Sequence, residues 1–550
     1  MKKRLVPVLI ACAGSAALLY WLGRARPLWV DEEMLLLNVR DRRFTQLAGA
    51  LWLDQSAPLG WLALERLALL LPGTAERALR LLSVLFGIGT LGTAVWIGRR
   101  SMTPLGAAIL VALCAFGEWI VFFTLELKHY SADTFGALLL PALAVWAVEH
   151  ADPAALSRRV TAWWIAAALG LWFSNGALFV APGCALLLAV WSWQRGGAPA
   201  VARYLAGGVA WLASFAACDV LVLRHAIANT YLHNYWAFAF PPVSGGVSAV
   251  AAWLLGQFRP FAIKPASSGL WLLFWSCYAA GIVFGVATRR RIGLAFATTP
   301  ICALALAFAH VVPTFERLAL WAVPSLYVGV ALCGDAAVCF AAATRHTRRR
   351  RIAAASAVAA GIAAVSVSGD IVYRGVMALV RKPQSNYGLD DRSSIRTLLA
   401  MHRRGDAVLT THYGLAALWW YGRIDVSNLE DTARLPDGSP VYELQYVETG
   451  AGCERGREAL AAALAGRQRA AVYLGFRLNV LPVGFDALVM QALGERGALV
   501  GFKQYAEESR IAVFDFSEGS RGRAAIAAES EAEAAPVPPG CVSVSRARRW

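Results

Sequence analysis

Charge is scarce in this chain of 550 residues: Asp, Glu, Lys and Arg make up 16% of it and hydrophobic residues 58%. A soluble protein carries roughly 25% charged residues. So little polar material cannot coat soluble domains, which excludes a soluble enzyme and a disordered chain. Ten cysteines are present, yet no CxxC occurs and eight of the ten sit in or beside apolar runs, so neither a structural zinc site nor a disulfide-stapled fold has support. P-loop and GxSxG patterns are also missing, which removes an ATP-driven pump and an α/β-hydrolase. Gly87-Ile88-Gly89-Thr90-Leu91-Gly92 has the GxGxxG spacing but lies inside an apolar run with no strand before it. That position predicts close helix packing, not dinucleotide binding.

Long apolar runs are what the chain has. Leu5 to Gly23 follows Lys2-Lys3-Arg4 and continues well past Cys12, which predicts an uncleaved anchor rather than a signal peptide. Ten further runs at 82–98, 103–122, 134–149, 160–174, 177–193, 203–223, 268–288, 293–310, 318–343 and 352–372 are long enough to be read as spans. Pro58 to Leu71 is shorter and is expected in the interface. With the N-terminus inside, the inner loops collect seventeen Lys and Arg and the outer loops after the first collect five. This positive-inside alternation also explains the net charge of +16 without nucleic acid. Our expectation is an α-helical polytopic membrane protein of about 11 transmembrane helices over residues 1–372, with an outer first loop at 24–80. A C-terminal extracytoplasmic α/β domain follows at 373–516, where helical and strand-like periodicities alternate, and then a flexible tail at 517–550. Cys453 and Cys541, the two cysteines outside the spans, could pair in an oxidising compartment.

Polar groups at the apolar boundary are costly, so they mark candidate chemistry. Trp29-Val30-Asp31-Glu32-Glu33 follows the first span. Adjacent carboxylates there can ligate a divalent metal such as Mg or Mn, accept a proton from a hydroxyl, or simply cap a helix. Glu126-Leu127-Lys128-His129-Tyr130-Ser131-Ala132-Asp133 fills the turn between the third and fourth spans, where Lys128 could hold a phosphate or anchor the interface. Tyr231 to Trp236, containing His233, and Pro313 to Arg317 add aromatics and charge on the same outer face.

In order along the chain these stretches resemble the membrane glycosyltransferases of the GT-C superfamily, in particular bacterial relatives of protein O-mannosyltransferase and of the lipid A aminoarabinose transferase. Trp29-Val30-Asp31-Glu32 resembles the acidic pair after the first span. Asp54-Gln55-Ser56-Ala57-Pro58-Leu59-Gly60-Trp61 is similar to the D-x-x-x-P-x-x-Y/W stretch, and Arg80 to Gly87 to R-L-P-S-A-L-F-G. Glu126 to Ser131 is similar to Q-E-x-R/K-x-Y, and Phe315-Glu316-Arg317 through Pro324 to F-x-x-R-x-x-x-x-x-x-P. The resemblance implies sugar transfer from a polyprenyl-phosphate carrier to a lipid, glycan or protein acceptor at the outer face of a bacterial inner membrane. It implies Asp31 as base and Glu32 as its partner, both near a divalent metal. Lys128 and Arg317 would serve the carrier phosphate. His129, Tyr130, Asp133 and His233, by their place on the same outer turns, are further candidates to bind the substrate. The aminoarabinose enzymes carry a lysine just before the proline of the first loop. Ala57 stands there in this chain, which shifts weight onto Lys128. The rival readings are a transporter or flippase of lipid-linked sugars, for which no internal repeat is present, and a non-catalytic membrane scaffold.

Overall fold

A backbone in hydrocarbon must satisfy its own hydrogen bonds, and a chain of apolar runs does so as helices. The computed structural model describes residues 5–149, 153–288, 290–343, 348–381, 388–424, 433–476, 481–506, 508–517 and 537–546. Two compact units emerge, Met1–Ala25 with Arg43–Lys382, and Arg26–Arg42 with Pro383–Trp550.

In the first unit, eight described helices are long and apolar enough to cross a membrane: Val6–Gly23, Ala75–Ser101, Tyr130–Ala147, Asn175–Ile227, Trp271–Thr288, Arg291–Phe308, Glu316–Ala341 and Ala354–Val380. A ninth span arises if Pro104–Phe116 and Glu118–Thr124, bent by 50° between them, are taken together. The protein is a multi-pass membrane protein.

The long Asn175–Ile227 run is not straight. Gly197 has φ +59°, and Tyr204 Oη donates to the carbonyl of Ala185 at 2.8 Å. In one straight helix those residues would lie roughly 28 Å apart, so the chain doubles back at Gly197, where glycine alone takes that backbone without strain. The predicted spans 177–193 and 203–223 are the two arms. The predicted span 160–174 falls largely within the helix Pro153–Gly170, where Trp163 donates to the carbonyl of Leu140 at 3.0 Å. Leu59–Ala68 is a helix of ten residues, roughly 15 Å long and too short to span.

Helices approach closely where glycines permit it. A Cβ on Gly87 would lie 2.3 Å from Thr124 Cγ2, so the GxGxxG spacing serves helix packing here. The last helix of this unit runs from Arg348 to Arg381, past the expected boundary at 372. Two of its charges, Arg374 and Asp370, pair along the helix at 2.9 Å.

The second unit is built on six strands, β1 (Ala407–Thr411), β2 (Val441–Val447), β3 (Arg469–Leu474), β4 (Ala498–Ala506), β5 (Ser509–Asp515) and β6 (Cys541–Arg546). Their order is β4-β5-β3-β1-β2-β6. The fully buried β1 pairs in parallel with β2 and with β3, and the remaining pairings are antiparallel. A central parallel strand is covered on both faces and reads as an unbroken apolar run, as Ala407-Val408-Leu409 does.

Two features differ from the sequence expectation. Residues 26–42 of the first loop belong to this unit and not to the membrane unit. Part of the stretch read as a tail is the edge strand β6, with Cys541 opposite Val447 and bridged to Cys453 across a Cα separation of 5.5 Å. Val542 and Val544 are buried, and this short alternation was hidden by the Ala- and Glu-rich stretch before it. Residues 518–536 of that tail lie outside the described residues.

Candidate functional site

The acidic cluster opens the helix Val30–Asp41, whose first turn carries Asp31, Glu32 and Glu33. Carboxylates favour that end, where backbone N–H groups lack partners. Glu32 does this work: its Oε2 accepts from the Trp29 backbone N–H at 3.2 Å, its Oε1 lies 3.8 Å from the Arg26 guanidinium, and it is fully buried. Asp31 is partly exposed. Glu33 is sealed from solvent; burial first, and the facing Asp391 second, push its carboxyl well above the usual range. Asp391 begins the helix Asp391–Met401 and accepts a hydrogen bond from Tyr473 Oη of β3. Burial pushes Asp391 up to about 7, against the lowering effect of hydrogen bonds from Tyr473, Glu33 and Ser509. Two facing carboxyls with so little water cannot both ionise, so the pair retains a proton.

In the membrane unit, the first loop ties the predicted outer groups together. Leu53 and Asp54 both adopt left-handed backbone, φ +62° and +52°, a costly conformation for such residues. The adjacent side chains reach in two directions. Gln55 Oε1 accepts from Lys128 Nζ at 2.7 Å, and Asp54 Oδ1 accepts from Asn229 Nδ2 at 2.7 Å. Asn229 caps the helix Thr230–Tyr235 that carries His233. His233 stacks on Phe240, ring centroids 5.6 Å apart, and Phe240 stacks on His310. The Arg317 guanidinium lies 5.8 Å from the Trp236 ring centre, and Trp236 meets Phe315. Lys128, His233 and Arg317, far apart in sequence, thus stand on segments connected through Asp54, Gln55 and an aromatic cluster.

Lys128, His129, Tyr130 and Asp133 are all buried. Asp133 Oδ1 accepts from the Gly176 backbone N–H at 2.9 Å and from Ser174 Oγ at 3.1 Å, so it secures the start of the next helix. His129 Nε2 lies 3.6 Å from Asp133 Oδ2 and 3.1 Å from Asn175 Nδ2. Tyr130 packs edge-on against Phe123. Asp335, deep in the unit, accepts from the Thr103 backbone N–H at 2.6 Å and caps another helix.

The divalent metal expected at Asp31 and Glu32 does not fit the donors present. Both oxygens of Glu32 are engaged as described, and no group of three or more His, Cys, Asp or Glu able to hold a metal occurs among the described residues. Sequence reading quoted Gln55 only as part of the first-loop stretch and gave it no role, and it passed over Asn229, whose one signal was an Asn at a helix start. It also passed over the meeting of Glu33 with Asp391, which no local pattern announces.

No protein-family model matches the chain, and no curated protein sequence does. Among solved structures it is similar to ArnT from Cupriavidus metallidurans bound to undecaprenyl phosphate, with 15% identity and a TM-score of 0.48 over 93% of this chain and 98% of that one. It is also similar to the Archaeoglobus fulgidus oligosaccharyltransferase in complex with Zn and sulfate, at 12% identity and a TM-score of 0.40 over 76% and 61% of the two chains. A third is the arabinofuranosyltransferase AftD from Mycobacteria, at 13% identity and a TM-score of 0.42 over 92% and 40%.

Proposed function

We propose that the protein is an integral-membrane glycosyltransferase of the GT-C kind, transferring a sugar from a polyprenyl-phosphate carrier to an acceptor on the extracytoplasmic face of a bacterial inner membrane, with its N-terminus cytoplasmic. The observation that carries this reading is Lys128: a lysine with 4% exposure at the start of a membrane helix, hydrogen-bonded to Gln55 of the first-loop stretch that resembles the family's D-x-x-x-P motif. A lysine buried at the edge of hydrocarbon is costly and more often marks a functional site than packing.

The chemistry follows from charge. As the bond between the anomeric carbon and the carrier phosphate breaks, negative charge grows on the departing phosphate, and a cation in a low-dielectric setting stabilises it. Lys128 has this role, with Arg317 as second cation. The acceptor hydroxyl attacks the anomeric carbon from the opposite side and inverts it, and its proton passes to the Asp31 carboxylate. Glu32 holds the start of the acidic helix. His129, Tyr130, Asp133 and His233 shape the substrate surroundings. No step requires a nucleotide.

Incubating the purified protein with a panel of labelled polyprenyl-phosphate sugars tests the reading. Release of label from lipid to a second molecule supports it. Movement of intact labelled lipid across a vesicle without cleavage would replace it with a flippase.

A further inference from the structure

We infer that Glu33 and Asp391, backed by Tyr473, are positioning residues: through them the C-terminal domain fixes the rotation of the acidic helix and so aims Asp31. This rests on the reading of Asp31 as the proton acceptor.

The acidic helix is docked in the second unit at both ends. At its start, the Leu28 backbone N–H donates to Tyr421 Oη at 3.0 Å, and the Trp29 ring meets Phe476 edge-on with centroids 6.1 Å apart. Near its end, Arg40 donates to the carbonyls of Trp420 and Trp419, each at 3.1 Å, and its guanidinium sits 4.7 Å from the Trp420 ring centre. These contacts anchor the segment at its two ends. The orientation of its first turn is set beside Asp31 itself, where Glu33 enters the domain.

Glu33 is fully buried and meets in the domain the Asp391 carboxyl, with which it shares a hydrogen bond and which is itself 2% exposed. On stability alone this is a poor choice, because an apolar side chain of similar size would avoid the desolvation cost. An acid facing an acid is directional in a way that a leucine is not, and Asp391 is itself oriented by Tyr473 Oη and by the turn in which the Asp390 backbone N–H donates to Ser509 Oγ at 2.7 Å.

Helix geometry carries this to Asp31. Two residues along a helix turn the side chain by about 200°. Glu33 seated inside the domain therefore turns Asp31 to the opposite side, in keeping with its partial exposure. Without Glu33 the first turn loses the polar contact that fixes its orientation while the Arg40 anchor stays in place, and Asp31 shifts with that turn.

The test uses the full-length protein in lipid nanodiscs, with turnover measured on whichever labelled polyprenyl-phosphate sugar it cleaves and hydrogen exchange of residues 28–41 measured by mass spectrometry. Glu33→Ala is expected to lower kcat at least about tenfold while donor KM moves less than about twofold, the signature of misaim rather than lost binding. Exchange should rise in residues 28–41 and stay unchanged in β1 and β3. Glu33→Gln, equal in shape, should restore most of the turnover and the protection. Wild-type turnover and exchange in Glu33→Ala would overturn the inference, as would equal losses in the Ala and Gln variants or exchange rising throughout the domain. Asp31→Asn is run beside them. If it keeps its turnover, the base reading fails, whereas the exchange data still decide whether Glu33 holds the helix.

Discussion

Lys128 and Asp31 divide the proposed chemistry between a buried cation and a partly exposed acid, and their variants separate accordingly. Asp31→Asn should abolish transfer while leaving the melting temperature within a degree or two, because a partly exposed side chain adds little to packing. Near-normal turnover in a labelled-donor assay would remove Asp31 from the mechanism. Lys128→Met and Arg317→Met should each raise the donor concentration needed for half-maximal rate, and the double variant should need more than either single one. Gln55→Leu should produce a smaller rise in the same direction, since it removes a group that accepts from Lys128 and leaves the cation itself. A donor titration unchanged in the double variant would reduce both cations to interfacial anchors.

Among elements, the acidic helix carries a pH dependence whose sign can be worked out. Glu33 and Asp391 are both held above the ordinary carboxylate range in the fold, so the folded state binds a proton that the unfolded chain releases. The associated stability is fully present below the unfolded value of roughly 4 and is lost as pH rises through the folded values. Thermal unfolding of the second unit should therefore begin earlier at pH 8 than at pH 5.5. Glu33→Gln, which cannot ionise, should flatten that slope, and an unchanged slope would show that the pair does not control it. The hairpin at Gly197 offers a second check on element scale. Gly197→Val forces a β-branched residue to φ +59° and should cost about 1–3 kcal/mol, seen as a lower melting temperature in detergent.

At the scale of the whole molecule, the Cys453–Cys541 bridge closes a sequence separation of 88 residues and secures β6 to the helix Ala451–Leu464 and the sheet. Replacing both cysteines by serine should reduce the stability of the second unit by about 2–4 kcal/mol. Peptide mapping without reductant should recover the two cysteines as one linked pair. Two freely alkylated thiols would rule the bridge out, and labelling of either from the cytoplasmic side would overturn the proposed outward orientation of this unit.

The sequence by itself determined that the protein lives in a membrane, where most of its helices run, and that an α/β unit follows them. Burial of apolar surface is local and nearly additive along the chain, so composition in windows of about 20 residues registers it directly. Val6–Gly23 and Trp271–Thr288 were legible for that reason, and so was β1, an apolar run that needs no partner to be recognised. Lys128 was legible too, as a cation with no business beside hydrocarbon.

What only the tertiary structure decided is which distant residues meet. Residues 26–42 joined the C-terminal unit because Glu33 meets Asp391 and Arg40 meets Trp419 and Trp420, across separations of more than 350 positions that leave no periodic trace. Gln55 reached Lys128 through a left-handed turn, Asp133 became the cap of the Asn175 helix, and Cys541 closed an edge strand where composition suggested a tail. Each depends on the direction of one side chain toward one partner. Hydrophobicity is a sum over neighbours in sequence, whereas hydrogen bonds and carboxyl pairs are set by neighbours in space.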